Sequence, residues 1–402
     1  MSLEWKTVEL KSIANVTMGQ SPKSEFYNDN FEGMPFLQGN KTFGDKYPSF
    51  ELYTTSIKKV AEKNSVLMSV RAPVGDLNIA QEDICIGRGV CGLQMKKGDN
   101  EFLYYLLKAN ISHLINKESG TVFGSINKND IETFEVTLPK SSDDQMKILT
   151  ILKNIDKKID ICKNLNRNLL QLVKTIFKNW FVDFGPFDGI QPDDWRICSL
   201  EEICDLKAGG DKPTIVSDEK NDSCIYPIYS NGLDKDGLYG YTDQAKIFDE
   251  SVTVSARGTI GFVCLRHEPY VPIVRLVSLI PNKNKITAKY LYLALERLNI
   301  IGTGTTQQQL TIPDFKKTEI LLPTYEVIES FTYKINPIFN QIWTHEKEII
   351  KLSNLRDILL PKLMSGEIDV SKINCDMQQI STNNWDNKFT VPLQNNLITV
   401  IS

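Results

Sequence analysis

The stretch Ser65–Gly75, with the sequence SVLMSVRAPVG, decides how the chain is interpreted because it occurs twice. A close relative of it, SVTVSARGTIG, spans Ser251–Gly261. Both follow the pattern Ser-x-Arg-x-x-(Val/Ile)-Gly, in which a short β-rich run leads into a turn. A phrase repeated in this way predicts two copies of one structural unit.

The duplication extends beyond this phrase. Trp5 and Trp195 open similar segments, WKTVEL and WRICSL, and Gly19 and Gly209 follow in the same register. MPFLQGN resembles YPIYSNG, and each copy closes on a Leu-Pro in the predicted late strands FEVTLP and TEILLP. EFLYYLLKAN and AKYLYLALERL have helical spacing. We therefore predict an α+β chain with two tandem α/β domains, residues 1–142 and 191–324.

A long heptad pattern follows each copy, in residues 143–185 and 325–370. Apolar side chains recur there at alternating spacings of three and four, which is typical of a coiled-coil seam. Pro337 predicts a kink or a late start of the second helix, and Gly366 predicts its end. The predicted seam contains Ile148, Leu152, Ile155, Ile159, Asn166, Leu169, Val173, Ile335, Ile342, Ile349 and Leu352.

Each apolar stripe must be buried against something, so the two helices are expected to pair with each other. We predict an antiparallel coiled coil about 42 Å long, with the two domains at opposite ends and related by a pseudo-twofold axis. A buried Asn166 would fix the register of the pairing. The alternative is two independent helical hairpins, each packed on its own domain. Residues 371–402 lack periodicity and are expected to be a poorly ordered tail.

The composition is that of a soluble globular protein, with 41% hydrophobic and 24% charged residues. The net charge of -4 counts against a chain that grips nucleic acid strongly on its own. The sequence contains no apolar run long enough for a membrane span and no signal core at its start, so we expect a cytoplasmic protein without membrane contact. The eight cysteines form no C-x-x-C motif and are expected to be reduced thiols.

Motifs of catalysis and metal binding are weak. Asp205 and Lys207 faintly resemble a nuclease carboxylate–lysine cluster, but the first copy has Asn15 at the position of Asp205. The segment Asn336–Phe339 resembles the Asn-Pro-Pro-(Tyr/Phe) motif of amino-methyltransferases, with the second proline missing. The three histidines lack the partner spacing of a metal or nucleophile site. We therefore expect no catalytic or metal-ligating residue.

Three features together resemble the specificity subunit of type I restriction–modification systems, over about residues 3–370. Tandem domains open at Trp5 and Trp195, and the first helix ends in IFKNWFVDF, at Ile176–Phe184. The second helix ends in LLPKLMSGEI, at Leu359–Ile368. The tail beyond residue 370 departs from the usual short ending of this family.

The resemblance implies a chain that performs no chemistry. Each domain would read one half of a bipartite target in double-stranded DNA, and the helices would set the unspecified spacer. The helices would also dock two methyltransferase subunits, and restriction subunits would join that core. S-adenosylmethionine, ATP and Mg²⁺ are expected on those partners and not on this chain.

Sequence readout is expected where the two copies differ, in the loops Gln38–Lys46 and Gly124–Asn129 and in the loops Ser230–Asp236 and Thr305–Gln309. Asn and Gln can bond adenine through two hydrogen bonds, and Arg or Lys can bond guanine. The alternative for each residue is an ordinary polar loop. The predicted DNA-binding residues are Gln38, Asn40, Lys41, Lys46, Arg71, Ser125, Asn127, Lys128, Asn231, Lys235, Arg257, Gln307, Gln308 and Gln309.

Arg71 and Arg257 occupy the same position in both copies, so they cannot distinguish two different half-sites. Two interpretations stay open for them, a structural ion pair and a phosphate contact that positions DNA without reading it. Two other functions compete for the whole chain. One is a two-headed protein-interaction scaffold without nucleic-acid binding, and the other is a nuclease that uses Asp205 and Lys207.

Overall fold

The structure is a computed structural model that describes residues 4–116, 125–301 and 309–370. The described residues form two compact units. Unit 1 combines the chain up to Lys163 with the chain from Glu346 onward, and unit 2 is the continuous segment Asn164–His345. The predicted loop residues Gln307 and Gln308, Gly124 and the tail 371–402 lie outside the described residues.

Unit 1 contains three sheets with strand orders β1-β11, β2-β10-β7-β8 and β3-β5-β4-β9-β6. The strands are β1 (Trp5–Glu9), β2 (Ala14–Met18), β3 (Tyr27–Asn28), β4 (Met34–Leu37), β5 (Tyr53–Thr54), β6 (Val60–Ala61), β7 (Val66–Ser69), β8 (Leu77–Ile79), β9 (Ile84–Ile86), β10 (Val90–Met95) and β11 (Glu135–Pro139). The helices are α1 (Leu10–Ile13), α2 (Asn100–Asn116), α3 (Lys128–Glu132) and the first part of α4 (Ser142–Phe181).

Unit 2 contains three sheets with strand orders β12-β20, β13-β19-β16-β17 and β15-β14-β18. The strands are β12 (Arg196–Ser199), β13 (Cys204–Ala208), β14 (Tyr226–Tyr229), β15 (Leu238–Thr242), β16 (Ser251–Val254), β17 (Val263–Arg266), β18 (Val271–Pro272), β19 (Val277–Pro281) and β20 (Glu319–Leu322). The helices are α5 (Leu200–Ile203), α6 (Ala288–Glu296), α7 (Ile312–Phe315) and α8 (Tyr325–Ser365), whose last part belongs to unit 1.

The two units share one topology. The sheet β2-β10-β7-β8 of unit 1 has its counterpart in the sheet β13-β19-β16-β17 of unit 2, and β1-β11 has its counterpart in β12-β20. A parallel strand pair also recurs, β4 with β9 in unit 1 and β14 with β18 in unit 2. These matching strand orders confirm the predicted pair of tandem α/β domains.

The repeated phrase forms the centre of each core. All four residues of β7 are buried, and so are all four of β16, because each strand is covered on both faces. Helix α2 packs Phe102, Leu103 and Leu106 against the sheet of unit 1, and α6 packs Tyr290, Leu291 and Leu293 in unit 2. Full burial of such a side chain contributes about 1.5–3 kcal/mol.

In unit 1 the first part of α4 and the last part of α8 run antiparallel. Asp156 accepts a hydrogen bond from Arg356 (3.0 Å), and farther along α4 Lys158 forms an ion pair with Glu348. Ile148 and Leu152 are fully buried in the core that also holds Leu363. Among the other seam residues of this unit, Ile159 is buried and Ile155, Ile349 and Leu352 are half-buried.

The helix segments of unit 2 also run antiparallel. Asn166 lies beside His345, whereas Phe177, farther along α4, packs on Phe331 with ring centroids 5.8 Å apart. The Asn166 amide nitrogen donates to the Ile342 carbonyl (3.1 Å), and its oxygen lies 2.7 Å from His345 Nδ1. The seam residues Val173, Ile335 and Ile342 are buried, and Leu169 is half-buried. The Asn166 oxygen therefore faces a donor, which is the Nδ1–H of His345.

The predicted late start of the second long helix is wrong. Helix α8 begins at Tyr325 and continues through Pro337. Proline at this position removes one backbone hydrogen bond, but Ile335, Phe339 and Ile342 on the same helix are buried in the core of unit 2. Their burial outweighs the lost bond. The helix ends at Ser365, directly before Gly366, as predicted.

The cysteines of the described residues carry free, buried thiols, as the sequence predicts. Burial raises the pKa of Cys264 to about 11 and that of Cys204 to about 12. Among the described helices, none has the length and apolar character that a membrane span requires.

Candidate nucleic-acid interface

The repeated Ser-x-Arg phrase folds into the same tight turn in both units. In unit 1 the Gly75 N–H donates to the Ser69 carbonyl (3.0 Å), and in unit 2 the Gly261 N–H donates to the Ser255 carbonyl (3.0 Å). Gly75 and Gly261 have φ values of 94° and 84°, which favour glycine. The phrase is therefore a scaffold element that turns the chain after the central strand.

The arginines of this turn differ between the units. Arg71 is exposed, and its guanidinium has no partner among the residues that the structure describes. Arg257 is half-buried, and its Nη2 donates to Gln309 Oε1 (3.2 Å). Neither arginine pairs with an acid within the described ranges. No structural ion pair of either arginine is thus seen within these ranges, and both interpretations stay predictions.

The next segment of each copy docks on the same turn. In unit 1 the Ile126 N–H donates to the Val70 carbonyl (2.9 Å), and in unit 2 the Leu310 N–H donates to the Ala256 carbonyl (3.0 Å). Ser125 forms a β-bridge with Arg71, and Gln309 bonds Arg257. The structure thus brings the predicted residues Ser125 and Gln309 beside the repeated arginines.

An open cleft of about 530 Å³ in unit 1 collects four of the predicted residues. Its wall contains three cationic side chains, those of Lys41, Arg71 and Arg88, and one acidic side chain, that of Glu51. Lys41 and Glu51 form an exposed ion pair of 2.8 Å, which contributes little to stability. The predicted residues that line the cleft are Gln38, Asn40, Lys41 and Arg71.

The two predicted asparagines hold loops in place. Asn40 donates to the Pro73 carbonyl (3.3 Å) and to Asp76. Asn231 donates to the Val274 carbonyl (2.6 Å) and accepts from the Ala256 N–H (2.8 Å). Their side chains are thus engaged within the unit, which favours a positioning role for both over direct contact with a base.

Lys46, one of the predicted DNA-binding residues, is paired with acidic side chains inside unit 1. Its ammonium group lies 3.2 Å from Glu101 and 3.6 Å from Asp156, and its side chain is only 12% exposed. Asp156 also accepts hydrogen bonds from Tyr105 and Arg356. This buried network (Lys46, Glu101, Tyr105, Asp156 and Arg356) joins a loop, α2 and both long helices within unit 1.

The network shifts the titration of its neighbours. Burial, together with the negative charge of Asp156, raises the pKa of Tyr105 far above its ordinary range. Burial and the positive charge of Arg356 lower the pKa of Lys108. Tyr105 therefore stays protonated and serves as a permanent hydrogen-bond donor to Asp156.

The remaining predicted residues occupy separate positions. Asn127 caps helix α3 by accepting the Asp130 N–H (3.1 Å), and Lys128 forms an exposed ion pair with Glu132 (3.3 Å). Lys235 is exposed in the short 3₁₀ helix Asp234–Gly237. Asn127 is thus a capping residue, whereas Lys128 and Lys235 present their charges to solvent.

Two arginines were missed by the sequence interpretation. Arg88 lies in the turn between β9 and β10, and Arg275 lies in the corresponding turn between β18 and β19. Both side chains are exposed. The strand pairings align Arg88 with Val274 and Gly89 with Arg275, so the two arginines occupy neighbouring positions of the same turn and no shared motif marks them in the sequence.

The described residues contain no group of three or more His, Cys, Asp or Glu that could hold a metal ion. Asp205 and Lys207, the residues of the nuclease hypothesis, form an exposed ion pair of 3.2 Å with each other. Such a pair on one strand has the geometry of an ordinary surface contact.

Comparisons with known proteins agree with this architecture. The family model described as the type I restriction modification DNA specificity domain matches residues 2–171 and again residues 192–354. The chain is similar to a putative type I restriction enzyme MjaX specificity subunit of Methanocaldococcus jannaschii, with 41% identity over 43% of this chain and 41% of that protein. It is also similar to the type I restriction enzyme MjaIX specificity subunit of that organism, with 24% identity over 92% of this chain and 95% of that protein.

A solved structure shares the fold. It is the S subunit of a type I restriction–modification system from M. genitalium, with a TM-score of 0.57 and 18% identity over 90% of this chain and 96% of that chain. The family model matches both copies of the repeat and most of the sequence. The chain therefore belongs to the family of type I restriction–modification specificity subunits.

Proposed function

We propose that this chain reads a bipartite target in double-stranded DNA, with one half-site for each unit. The observation that carries the proposal is the repeated topology, in which each unit presents an exposed arginine from the same turn after a parallel strand. Two similar heads with different loops suit a ligand that has two different halves. The chain itself is non-catalytic in this proposal and supplies specificity to partner enzymes.

The proposed partners are two methyltransferase subunits and restriction subunits, which would carry S-adenosylmethionine, ATP and Mg²⁺. Exposed apolar side chains on the long helices support a docking role. Ile350 and Ile358 on α8 are 58% and 59% exposed, and Tyr333 on the same helix is 79% exposed. Large apolar side chains exposed on helices are frequent at protein interfaces.

The near-neutral charge of the chain is consistent with a complex in which several subunits bind the DNA together. A protein that binds DNA alone through phosphate contacts usually carries a basic surface, whereas this chain has a net charge of -4. We propose that the partner subunits supply the remaining affinity for the duplex. We also propose that the paired helices set the unspecified spacer between the two half-sites.

Methylation mapping tests the function directly. The chain is expressed with the methyltransferase subunit of its own system in a host that lacks such methylation, and modified bases are detected across the genome. We expect a two-part motif with a fixed unspecified gap. Replacing residues 1–140 by those of a relative should change one half of the motif only. A soluble complex that methylates no defined motif would contradict the proposal and favour a protein-interaction scaffold.

A further inference from the structure

The turn after β9 in unit 1 presents an arginine that is held only through its backbone. The Arg88 N–H donates to Ser21 Oγ (3.1 Å), and the neighbouring Gly87 N–H donates to the Leu37 carbonyl (2.8 Å). The Arg88 side chain is exposed and lines the same cleft as Arg71. Its guanidinium makes no hydrogen bond or ion pair with any residue in the described part of unit 1.

Unit 2 builds the corresponding turn from different residues and under strain. Val274 and Arg275 have φ values of 52° and 61°, in the left-handed region. This conformation is strongly unfavourable for a β-branched residue such as valine. Three hydrogen bonds impose the conformation. The Val274 and Arg275 N–H groups donate to the carbonyls of Gly210 and Gly209 (3.0 Å each), and Asn231 donates to the Val274 carbonyl (2.6 Å).

A matched pair of glycines makes room for both turns. A Cβ atom on Gly19 would lie 2.6 Å from the Val90 carbonyl oxygen, and one on Gly209 would lie 2.8 Å from the backbone of Ile273. Real Cβ atoms do not approach backbone so closely, so only glycine fits at either position. Both copies of the repeat therefore have a glycine, Gly19 or Gly209, where the chain lies against the backbone of the arginine turn.

The arginines of these turns contrast with others in the chain. Arg266 donates to Thr253 and to the Asp236 carbonyl, Arg356 bonds Asp156, and Arg196 bonds Glu202. Arg275, like Arg88, is exposed and has no side-chain partner among the described residues. Functional sites often contain a strained backbone that neighbouring groups hold in place. The turn of Arg275 has this property, and it carries a guanidinium without a partner among the described residues.

We infer that Arg88 and Arg275 are the common DNA-anchoring residues of the two units, each contacting backbone phosphates of its own half-site. The inference rests on the proposed function. Since both units present the same residue type from the same turn, the two arginines cannot distinguish different half-sites. Guanidinium groups bind phosphate through paired, charge-assisted hydrogen bonds, and such contacts fix the register of a protein on the duplex without reading sequence.

The test uses the complex of the full chain with its methyltransferase subunits and two duplexes of equal length. One duplex carries the target defined by methylation mapping, and the other carries a scrambled sequence. Arg88→Gln, Arg275→Gln and the double variant are compared with Lys140→Gln and Arg196→Gln, which remove a positive charge from an exposed ion pair in unit 1 and unit 2. Arg88→Lys and Arg275→Lys keep the charge, and thermal melting verifies the fold of every variant.

Each glutamine variant should bind about tenfold more weakly, by the same factor on target and scrambled DNA. The slope of log K against log salt should become less steep by about 0.9 for each single variant and by about 1.8 for the double variant. The lysine variants should keep the wild-type slope.

Binding and slopes equal to those of the two control variants would overturn the inference while leaving the proposed function intact. A loss on the target duplex alone would also overturn it, because that result indicates base reading. A wild-type complex that does not distinguish target from scrambled DNA would refute the proposed function, and the inference with it.

Discussion

At the scale of single residues, Gly366 occupies a position that requires glycine for two reasons, its backbone conformation and the lack of space for a side chain. It directly follows the end of α8 with a φ of 80°, and a Cβ atom there would lie 2.7 Å from the Trp5 ring. A left-handed alanine alone costs about 1 kcal/mol. The contact with the indole of Trp5 adds to that cost, because Trp5 is partly buried against the core of unit 1 and has little room to move away.

We therefore expect Gly366→Ala to lower the free energy of unfolding by about 2–4 kcal/mol, as an overpacked glycine site would. Gly189→Ala is the matched control, since Gly189 has a φ of 75° but a Cβ atom added there would meet no other atom within 4 Å. The control should lose only about 1 kcal/mol. Urea denaturation followed by tryptophan fluorescence measures both values, and equal losses would show that Trp5 does not confine this site.

At the scale of secondary-structure elements, the buried network of unit 1 fixes α2 to both long helices. Asp156 is its centre, with a side chain that is 11% exposed and bonded to Tyr105 and Arg356. Asp156→Asn removes the one carboxylate that Lys46 and Arg356 share, and leaves each with a single acidic partner, Glu101 and Asp357 respectively. Removing one member of a buried ion pair typically costs about 3–5 kcal/mol, and we expect a loss of that order in denaturation experiments.

Asp160 is the matched control for Asp156, one turn farther along α4. Burial, and next the charge of Asp156, raise the pKa of Asp160, so its carboxylate is less favourable in the folded state than in the unfolded state. Asp160→Asn should therefore leave stability at neutral pH unchanged or slightly higher. If Asp160→Asn lowered the stability as much as Asp156→Asn does, the effect would come from the overall charge of the helix and not from the buried network.

Asn166 is the polar residue of the predicted seam, and its contacts give it a role between helices. Asn166→Leu replaces the bonds to Ile342 and His345 by apolar surface. We expect a folded protein that loses pairing specificity, because a polar seam residue fixes register at some cost in stability. Light scattering should then reveal additional oligomeric forms. Asn168→Leu, at an exposed position of the same helix, should not produce them.

At the scale of the whole molecule, the repeated features were the ones that the sequence could predict. β7 and β16 were identified because a β-rich run recurs before the same turn, and α8 was identified from its apolar spacing. The internal ion pairs of Lys46 could not be predicted because its partners, Glu101 and Asp156, are far away in sequence. The extent of α8 through Pro337 depended in the same way on burial that the local sequence does not reveal.

Arg88 and Arg275 were missed for a different reason. Their turns are built by different residues, Gly87-Arg88-Gly89 in one unit and Ile273-Val274-Arg275 in the other, so an arginine recurs in the same turn but at neighbouring positions. Local propensity argues against a left-handed valine, and only the hydrogen bonds with Gly209, Gly210 and Asn231 explain it. Such positions, where tertiary contacts override local preference, are where functional residues tend to be found.

The division of the chain into units has a consequence for biosynthesis. Among the described residues, unit 2 is one continuous segment, Asn164–His345, whereas unit 1 combines residues up to Lys163 with residues from Glu346 onward. The nascent polypeptide emerges from the ribosome in order, so the segment Asn164–His345 of unit 2 is complete before the second segment of unit 1 has been made. Until Leu360, Leu363 and Met364 have been translated, the core around Ile148 and Leu152 lacks part of its cover. The domain that begins first is thus the last to be completed.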